Sequence, residues 1–291
     1  MKISKKIFAV LFHENQAQGS LQDYAITSMA EQWREEGHEV LYMFGTSKFI
    51  PADLVVVHVD VSVVPENYLE FARQYPIALN GQVRDIRKSR FSENILGRDA
   101  SYGGKVIVKS DLNYAGAPER WLTSSPSLLQ SFSCRLVTRY RRFRSLTFET
   151  PRDYPIYENL RQVPRRYFKA KDIIVQKFLP EMDGEMFCVR SFHFLGDRTF
   201  ANRLKASCPI VNGSTYKSIE KIEPHPEIVA LREKLKFDYG KFDYVVVDGK
   251  AVLLDVNKTV GRALTGGGIA NSPELIGLRR SRADGIYSYF R

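Results

Sequence analysis

The chain has 291 residues, 44% of them hydrophobic and 26% charged, which is the ordinary balance of a globular protein with a buried core. Lys and Arg number 43 against 33 Asp and Glu, so the net charge of +10 favours anionic partners such as nucleotides, acidic peptides or nucleic acid. The three cysteines share no CxxC spacing, which argues against a disulfide framework or a zinc site, and no stretch approaches the roughly 20 apolar residues of a membrane span, so we expect a cytoplasmic protein.

The first 85 residues alternate between strand and helix patterns. Strands are predicted at residues 7–12, 39–44, 53–59 and 77–80, and helices at residues 21–36 and 65–75. This alternation is typical of a parallel α/β layer. His58, inside an apolar run, is interpreted as a core histidine. Asp60 follows the same run, at the edge where open α/β sheets bind ligands, so a substrate contact there is a hypothesis.

Two features follow this layer. The basic segment 80–96 is interpreted as an amphipathic helix, with a merely solvated face as the alternative. Further on, a glycine-led apolar strand ends at Lys109 and continues into a loop that contains Gly116. The residue after Gly104-Lys105 is Val106, so this is not a Walker A loop. A lysine at a strand end beside a glycine loop can still hold nucleotide phosphates through its charge and nearby backbone N–H groups.

Residues 134–171 form a strongly basic region. It holds eleven Arg or Lys against three acidic residues, and aromatic residues are interleaved with them. Two interpretations stay open. The region either binds an acidic peptide or single-stranded nucleic acid by charge and stacking, or forms a solvated helical lid whose aromatic rings pack inward.

Near the C-terminus, the apolar runs 244–247 and 251–254 flank Asp248-Gly249, which predicts a β-hairpin with a two-residue turn. Antiparallel pairing then makes Asp243 and Asp255 neighbours, and Asn257 points to the same face as Asp255 because side chains alternate along a strand. Two carboxylates and an amide oxygen suit magnesium. We therefore predict these three residues as metal ligands, with polar strand ends as the alternative.

The order of these residues resembles that of the ATP-grasp superfamily, in particular glutathione synthetase-like and ribosomal-protein glutamate ligase-like enzymes. The resemblance covers about residues 75 to 265 and rests on the following set: Lys109, the hinge Gln176–Leu179, Glu185, Arg203, Asp243, Asp255 and Asn257. It implies an α/β (α+β) ATP-grasp fold with an N-terminal parallel α/β pre-ATP-grasp domain at residues 1–85. A lid subdomain with a basic insertion at residues 86–175 and a C-terminal subdomain with the metal site at residues 176–291 would follow.

The resemblance also implies a role for each matching residue. The ATP-binding set would be Lys88, Lys109, Gln176, Lys177, Phe178, Leu179 and Glu185. Within it, the two lysines would hold phosphates, the hinge backbone the adenine edge, and Glu185 the ribose. Arg203 and Arg190 would neutralise charge on the transferred phosphoryl group. Arg262 would hold a substrate carboxylate, with an exposed loop arginine as the alternative. Asp255 stands where the family commonly has Glu, which leaves the number of magnesium ions open.

The implied activity is that of an ATP- and magnesium-dependent carboxylate–amine ligase, in which an amine captures an acylphosphate to form an amide or peptide bond. A phosphotransferase with a hydroxyl acceptor is an alternative on the same nucleotide site. A third alternative is an acidic-peptide or nucleic-acid binding module with a vestigial ATP site. Expected partners are ATP and a carboxylate-bearing small molecule or peptide, with an acidic peptide at the basic insertion as a further candidate, and neither a membrane nor nucleic acid is expected.

Overall fold

The computed structural model describes residues 4–123, 148–261, 277 and 280–291. The chain divides into two compact units: unit 1 comprises residues 1–85 and 180–291, and unit 2 comprises residues 86–179. Arg262 and residues 134–147 of the basic region lie outside the described residues. Within the described part of the chain, no helix is both long and apolar enough to cross a membrane.

The first part of unit 1 is a four-stranded parallel sheet with the order β2-β1-β3-β4. Its strands are β1 (Ile7–Phe12), β2 (Glu39–Phe44), β3 (Leu54–Val57) and β4 (Ala78–Leu79). Helix α1 (Ala25–Glu35) joins β1 to β2, and helix α2 (Glu66–Ala72) joins β3 to β4. The predicted parallel α/β layer is therefore confirmed. Helix α1 begins at Ala25 rather than at the predicted residue 21, because residues Gln18–Asp23 form a 3-10 helix.

Unit 2 contains a three-stranded antiparallel sheet with the order β6-β5-β7, and helix α3 (Ala117–Leu122) follows its central strand. The strands are β5 (Val106–Ser110), β6 (Ile156–Tyr157) and β7 (Ile173–Lys177). Between β5 and α3, Tyr114, Ala115 and Gly116 all have positive φ, at 43°, 57° and 74°. Gly116 suits this left-handed stretch because it has no Cβ.

The helix predicted over residues 80–96 is wrong, since only Lys88–Arg90 form a short 3-10 helix there. The buried positions of this stretch, Asn80, Val83, Ile86 and Lys88, all lie in its first nine residues, so no buried face continues along the rest of it. The Asp111 carboxylate accepts hydrogen bonds from both the N–H and the hydroxyl of Ser89, each at 2.7 Å. Because the Ser89 N–H donates to Asp111, it does not bond to the carbonyl four residues earlier, as it would in an α-helix.

The second sheet of unit 1 has six strands in the order β11-β10-β9-β12-β13, with β8 paired to β9. They are β8 (Glu181–Asp183), β9 (Met186–Leu195), β10 (Arg198–Ala206), β11 (Ser218–Ile222), β12 (Tyr239–Val247) and β13 (Lys250–Asn257). Helix α4 (Pro226–Lys234) precedes β12. The predicted hairpin of β12 and β13 is confirmed, and its turn residues Asp248 and Gly249 have φ of 51° and 75°, as a type I′ turn requires.

The two sheets of unit 1 share one hydrophobic core. Phe8 and Trp33 from the parallel layer pack in the same cluster as Leu195 and Tyr239 from the antiparallel sheet. Ile286, in the C-terminal 3-10 helix, is fully buried in it. This shared core holds residues that are distant in sequence within one unit, and it positions the strands that carry the candidate site.

Candidate active site

Asp243 on β12 and Asp255 on β13 lie directly opposite each other in the antiparallel register. A β-bulge follows Asp243, and such bulges change the direction of side chains at the ends of pairing. Ser191 on β9 donates a hydrogen bond of 2.5 Å to Asp243 Oδ1. Asn257 lies two residues beyond Asp255 on the same strand, so it faces the same side. The register therefore brings the three predicted metal ligands together on two neighbouring strands.

An ammonium group lies beside these carboxylates. Lys241 is the register partner of Asn257, and its Nζ is 2.7 Å from Asp243 Oδ2. Burial opposes the charged form of Lys241, but the charge and hydrogen bond of Asp243 and the charge of Asp255 outweigh it, so the pKa of Lys241 is raised. Sequence reasoning missed Lys241. Its position two residues before Asp243, on the same face of β12, was the signal that could have found it.

The donor set fits a hard divalent cation. Magnesium usually takes one or two carboxylates, with water and phosphate oxygens completing its shell. Asp243 and Asp255 supply the carboxylates, and Lys241 shows that a cation is already held at 2.7 Å from one of them. No group of three or more His, Cys, Asp and Glu side chains suited to a metal occurs in the part of the chain that is described. A metal site here would therefore need its third protein oxygen from Asn257, as the sequence predicts.

Asn257 is tied to the parallel layer through Thr259. The Thr259 N–H donates to Asn257 Oδ1 at 2.8 Å, and the Thr259 hydroxyl donates to Asp60 Oδ1. Tyr24 donates its hydroxyl to the other Asp60 oxygen at 2.8 Å. Burial and the neighbouring carboxylate of Asp60 raise the pKa of Tyr24, so its hydroxyl keeps its proton. Asp60 is thus connected to the predicted metal ligand Asn257 through a single residue, Thr259. The sequence spacing gives no indication of this contact.

Arg190 on β9 and Arg203 on β10 are register partners. Arg190 binds both oxygens of Glu181 at 2.8 to 2.9 Å. Arg203 binds Glu220 through Nε, and its Nη1 is 3.7 Å from Glu181 Oε1. Hydrogen bonds to Glu181 raise the pKa of Arg190, and hydrogen bonds to Glu220 raise that of Arg203. The two predicted phosphate-binding arginines are therefore adjacent, charged and held by carboxylates.

Glu181 is a second residue that sequence reasoning missed. Its side chain is only 7% exposed, and besides Arg190 it accepts the N–H of Val246 at 2.7 Å. Its place four residues before Glu185 gave no sign that it was the buried carboxylate. Glu185, the predicted ribose ligand, is an exposed residue of the turn between β8 and β9. The sheet thus pairs a buried carboxylate with Arg190, which is the register partner of Tyr244, the residue next to Asp243 on β12.

The predicted nucleotide-binding residues of unit 2 are in different environments. Lys109 is half-buried near the end of β5. Lys88 is 3% exposed, and its Nζ donates to the Leu112 carbonyl at 3.0 Å. A buried ammonium on a backbone carbonyl supports the loop after β5, and because an ammonium has three hydrogens to donate, this bond is compatible with a phosphate contact by Lys88. The phosphate role of both lysines stays a prediction.

The predicted hinge continues β7. The buried Gln176 side chain donates to Ser92 Oγ at 2.8 Å. The N–H groups of Lys177 and Phe178 donate to the carbonyls of Asn94 and Lys105, each at 2.9 Å. Leu179 is half-buried and is the last residue of unit 2. Since two hinge N–H groups are bonded within unit 2, the predicted adenine contact would rely on hinge carbonyls and on Leu179.

The described part of the basic region, residues 148–171, packs three of its five aromatic rings inward. Phe148, Tyr154 and Tyr167 are buried, and the Phe148 ring centroid lies 5.0 Å from Tyr154 and 6.3 Å from Tyr167. The exposed basic side chains are Arg152, Arg161, Arg165, Arg166, Lys169 and Lys171, and the exposed acidic ones are Glu149, Asp153 and Glu158. Base stacking needs accessible rings. The described residues therefore favour inward-packed aromatics over a stacking surface for nucleic acid.

No family model matches this chain, and no curated protein matches it either. Solved structures with a similar chain path include the D-alanine–D-alanine ligase from Bacillus anthracis, at 13% identity and a TM-score of 0.47, covering 95% of this chain and 94% of that one. A RimK domain ATP-grasp protein from Sphaerobacter thermophilus has 12% identity and a TM-score of 0.48, covering 96% and 99%. The macrocyclase MdnC from Microcystis aeruginosa, bound with its precursor peptide MdnA, has 8% identity and a TM-score of 0.49, covering 96% and 98%. The Sphaerobacter thermophilus structure is an ATP-grasp protein, and at these identities and TM-scores the similarity is one of chain path alone.

Proposed function

We propose that the protein is an ATP- and magnesium-dependent carboxylate–amine ligase of the ATP-grasp type. The observation that supports this most directly is the strand register that sets Asp243 opposite Asp255, with Asn257 on the same face. The arginine pair Arg190 and Arg203 lies on β9 and β10 of the same sheet. A metal-ligand set and a pair of fixed cations on one sheet are what the transfer of a phosphoryl group requires.

In this proposal Asp243, Asp255 and Asn257 hold magnesium. When bound there, the ion would supply positive charge to the phosphate oxygens of ATP. Arg190 and Arg203 add fixed positive charge for the transferred phosphoryl group. Their ion pairs with Glu181 and Glu220 keep both guanidinium groups oriented before a substrate arrives. In unit 2, Lys109 and the hinge Gln176–Leu179 are assigned to ATP, with Lys109 on the phosphates.

The proposed reaction has two steps. A substrate carboxylate oxygen bonds to the γ-phosphorus of ATP, the bond from that phosphorus to the β–γ bridging oxygen breaks, and ADP leaves. A neutral amine then attacks the acyl carbon, inorganic phosphate leaves with the C–O bond electrons, and the amine nitrogen loses one proton. Neither step needs a side-chain nucleophile, so binding, orientation and charge neutralisation are the protein's contribution.

Calorimetric titration of ATP tests the nucleotide and metal sites. We expect magnesium-dependent binding by the wild type, weakened about 10- to 100-fold in Lys109→Ala because a charge-assisted hydrogen bond contributes about 1.5–3 kcal/mol. Asp255→Ala should lose the dependence on magnesium. The matched control is Lys105→Ala, since Lys105 immediately precedes β5, at the end away from Lys109, and pairs with Glu158 at 2.9 Å. Absence of binding by the wild type, or equal loss in the control, would reject the proposal.

Product analysis separates ligation from its closest alternative, phosphoryl transfer to a hydroxyl group. The protein is incubated with magnesium, ATP, hydroxylamine and pools of amino acids, small carboxylic acids and acidic peptides. Hydroxylamine captures an acylphosphate as a hydroxamate, so hydroxamate with equal amounts of ADP and phosphate supports the ligase. A stable phosphorylated product with ADP and no free phosphate supports the phosphotransferase instead.

A second proposal concerns the partner of the basic region. None of its six exposed basic side chains between residues 152 and 171 has an ion-pair partner in the described chain. We propose that an acidic peptide binds there, and that this peptide is the carboxylate substrate or part of it. A fluorescent oligoglutamate peptide should bind with strong salt dependence, and Arg161→Gln combined with Arg165→Gln should weaken it. Equal binding by that double variant, or preferential binding of oligothymidylate, would reject this partner.

A further inference from the structure

Four consecutive residues after β13 each contact the N-terminal layer of unit 1. The Lys258 ammonium, which is fully buried, donates to the Val61 carbonyl. The Thr259 hydroxyl donates to Asp60, the Val260 carbonyl accepts the Ala25 N–H at 2.8 Å, and Gly261 forms a β-bridge with Tyr24. Residues 258–261, which follow Asn257, are therefore held in place by the residues just after β3 and by the start of α1.

We infer that Asp60 is a positioning residue for the candidate metal ligand Asn257, acting through the hydroxyl of Thr259. The inference rests on the proposed function, because it assigns a role at the metal site proposed there. It adds a residue from the parallel layer, about 200 positions away in sequence, to a site otherwise built on one hairpin.

The hydroxyl of Thr259 carries a single hydrogen atom, and two acceptors compete for it. Thr259 Oγ1 lies within hydrogen-bonding distance of two acceptors, Asp60 Oδ1 and, at 3.2 Å, Asn257 Oδ1. A hydroxyl has only one hydrogen to donate, and a carboxylate is a stronger acceptor than an amide oxygen. Asp60 therefore takes this hydrogen. Asn257 Oδ1 then accepts the Thr259 N–H at 2.8 Å, and its second lone pair is not used by the hydroxyl hydrogen.

Asp60 is itself oriented by Tyr24, whose hydroxyl donates to Asp60 Oδ2 at 2.8 Å. Tyr24 keeps its proton because burial and the neighbouring carboxylate raise its pKa. With one donor on each carboxylate oxygen, the Asp60 side chain cannot rotate without losing a hydrogen bond. Hydrogen bonds thus connect Tyr24 to Asp60, Asp60 to Thr259 and Thr259 to Asn257. They fix the position of the Asn257 amide oxygen and leave one of its lone pairs available to a cation.

Replacing Asp60 by Asn tests this chain. In Asp60→Asn the carboxylate becomes an amide, whose oxygen is no stronger an acceptor than Asn257 Oδ1, so the Thr259 hydroxyl should share its hydrogen with Asn257 Oδ1 and compete there with a cation. We expect the dissociation constant for Mn²⁺ alone, measured from the free Mn²⁺ signal in electron paramagnetic resonance, to rise about 10-fold. Adding Thr259→Val removes the competing hydrogen, so the double variant should bind Mn²⁺ more tightly than Asp60→Asn alone.

That recovery distinguishes a positioning role from a merely structural one, because two unrelated disturbances would add rather than cancel. The matched control is Thr27→Val, which removes a buried hydroxyl that donates to the Tyr24 carbonyl at 2.7 Å and does not touch Asp60. It should leave Mn²⁺ binding unchanged. Thermal unfolding of each metal-free variant monitors the fold independently.

Three results would overturn the inference. Equal Mn²⁺ affinity in Asp60→Asn and the wild type, with Asp255→Ala clearly weaker, would reject the role of Asp60 and leave the proposed function standing. A double variant that binds as weakly as Asp60→Asn, or more weakly, would show that the effect is a disturbance of the fold. Equal binding by the wild type and Asp255→Ala would reject the metal site, and the proposed function would fail with it.

Discussion

Lys241 Nζ lies 2.7 Å from Asp243 Oδ2, and Lys241 is also the register partner of Asn257. One ammonium group thus lies among the side chains that we assign to a divalent ion. In the metal-free protein its charge offsets the repulsion between Asp243 and Asp255, which face each other across the hairpin. A metal ion that binds the same oxygens has to displace this ammonium or share the carboxylates with it.

Replacing Lys241 by Met should have opposite effects on the two states. The metal-free variant should lose about 1 kcal/mol of unfolding free energy, because two carboxylates remain without their cation. Its affinity for Mn²⁺ should rise about fivefold, which corresponds to the same free energy. Urea unfolding and paramagnetic resonance measure the two effects. The control is Lys250→Met, an exposed lysine at the other end of the hairpin. Weaker Mn²⁺ binding by Lys241→Met would show that the lysine assists the metal site.

Replacing Glu181 by Gln should destabilise unit 1 strongly. Glu181 is 7% exposed and accepts hydrogen bonds from donors on two strands, the Arg190 guanidinium on β9 and the Val246 N–H on β12. Removing one charge of a buried pair leaves the other unpaired, at a cost of about 3 kcal/mol. Glu220→Gln is the control, since that side chain is 39% exposed and its pair with Arg203 should contribute less than about 1 kcal/mol. Similar unfolding free energies for the two variants would contradict this account.

Replacing Gly249 by Ala should destabilise the hairpin through backbone conformation alone. Gly249 has φ of 75°, and a Cβ built there meets no atom within 4 Å. The cost should therefore be the left-handed penalty of about 1 kcal/mol, without a steric term. Gly213→Ala is the control, because its Cβ would also meet nothing and its φ is not in the left-handed range. Equal unfolding free energies of these two variants would show that the turn does not require positive φ.

Local sequence patterns were sufficient where one residue type determines the conformation. The Asp248-Gly249 turn fixed the hairpin register from Val247 to Tyr244, and the β-bulge after Asp243 then shifted it by one residue and brought Asp243 opposite Asp255. The patterns failed for segment 80–96, where the contacts of Ser89 with Asp111 override a helical interpretation. Contacts between distant segments, such as Asp60 with Thr259, could not be predicted, because neither residue carries a local signal of its partner.

Lys241 and Glu181 represent two different limits of sequence reasoning. Lys241 shares the face of Asp243 by strand alternation, so it could have been predicted together with the metal ligands. Glu181 could not have been predicted in this way. Its burial comes from the pairing of β8 with β9 and from contact with the Arg190 side chain, and neither is visible in the local sequence. A charge in a short polar segment looks exposed until the sheet that covers it is known.

The last prediction concerns the buried His58. Its ring contacts Phe12, Tyr24 and Tyr239, at centroid distances of 5.1, 4.8 and 6.2 Å, and within the described structure neither ring nitrogen has a hydrogen-bond partner. Burial, and to a lesser degree the charge of Lys258, lower its pKa to about 3. Replacing His58 by Phe should keep the ring contacts and remove two buried polar atoms, so we expect a gain of about 1–3 kcal/mol in unfolding free energy at pH 7.5.

The same replacement should flatten the acid dependence of stability. The folded pKa of His58 lies below the value of 6.5 in the unfolded chain, so the unfolded state binds the proton more readily. Wild-type stability from this group is present above pH 6.5 and is lost as the pH falls toward 3, by up to about 1.4 kcal/mol per pH unit. Urea unfolding at pH 7.5 and pH 5 should therefore show the gap between His58→Phe and the wild type widening in acid. His225→Asn, which keeps a capping side chain at the start of α4, controls for loss of a histidine elsewhere. A gap that stays constant between the two pH values would mean that His58 takes up its proton equally in the folded and the unfolded state, and would contradict its neutral burial.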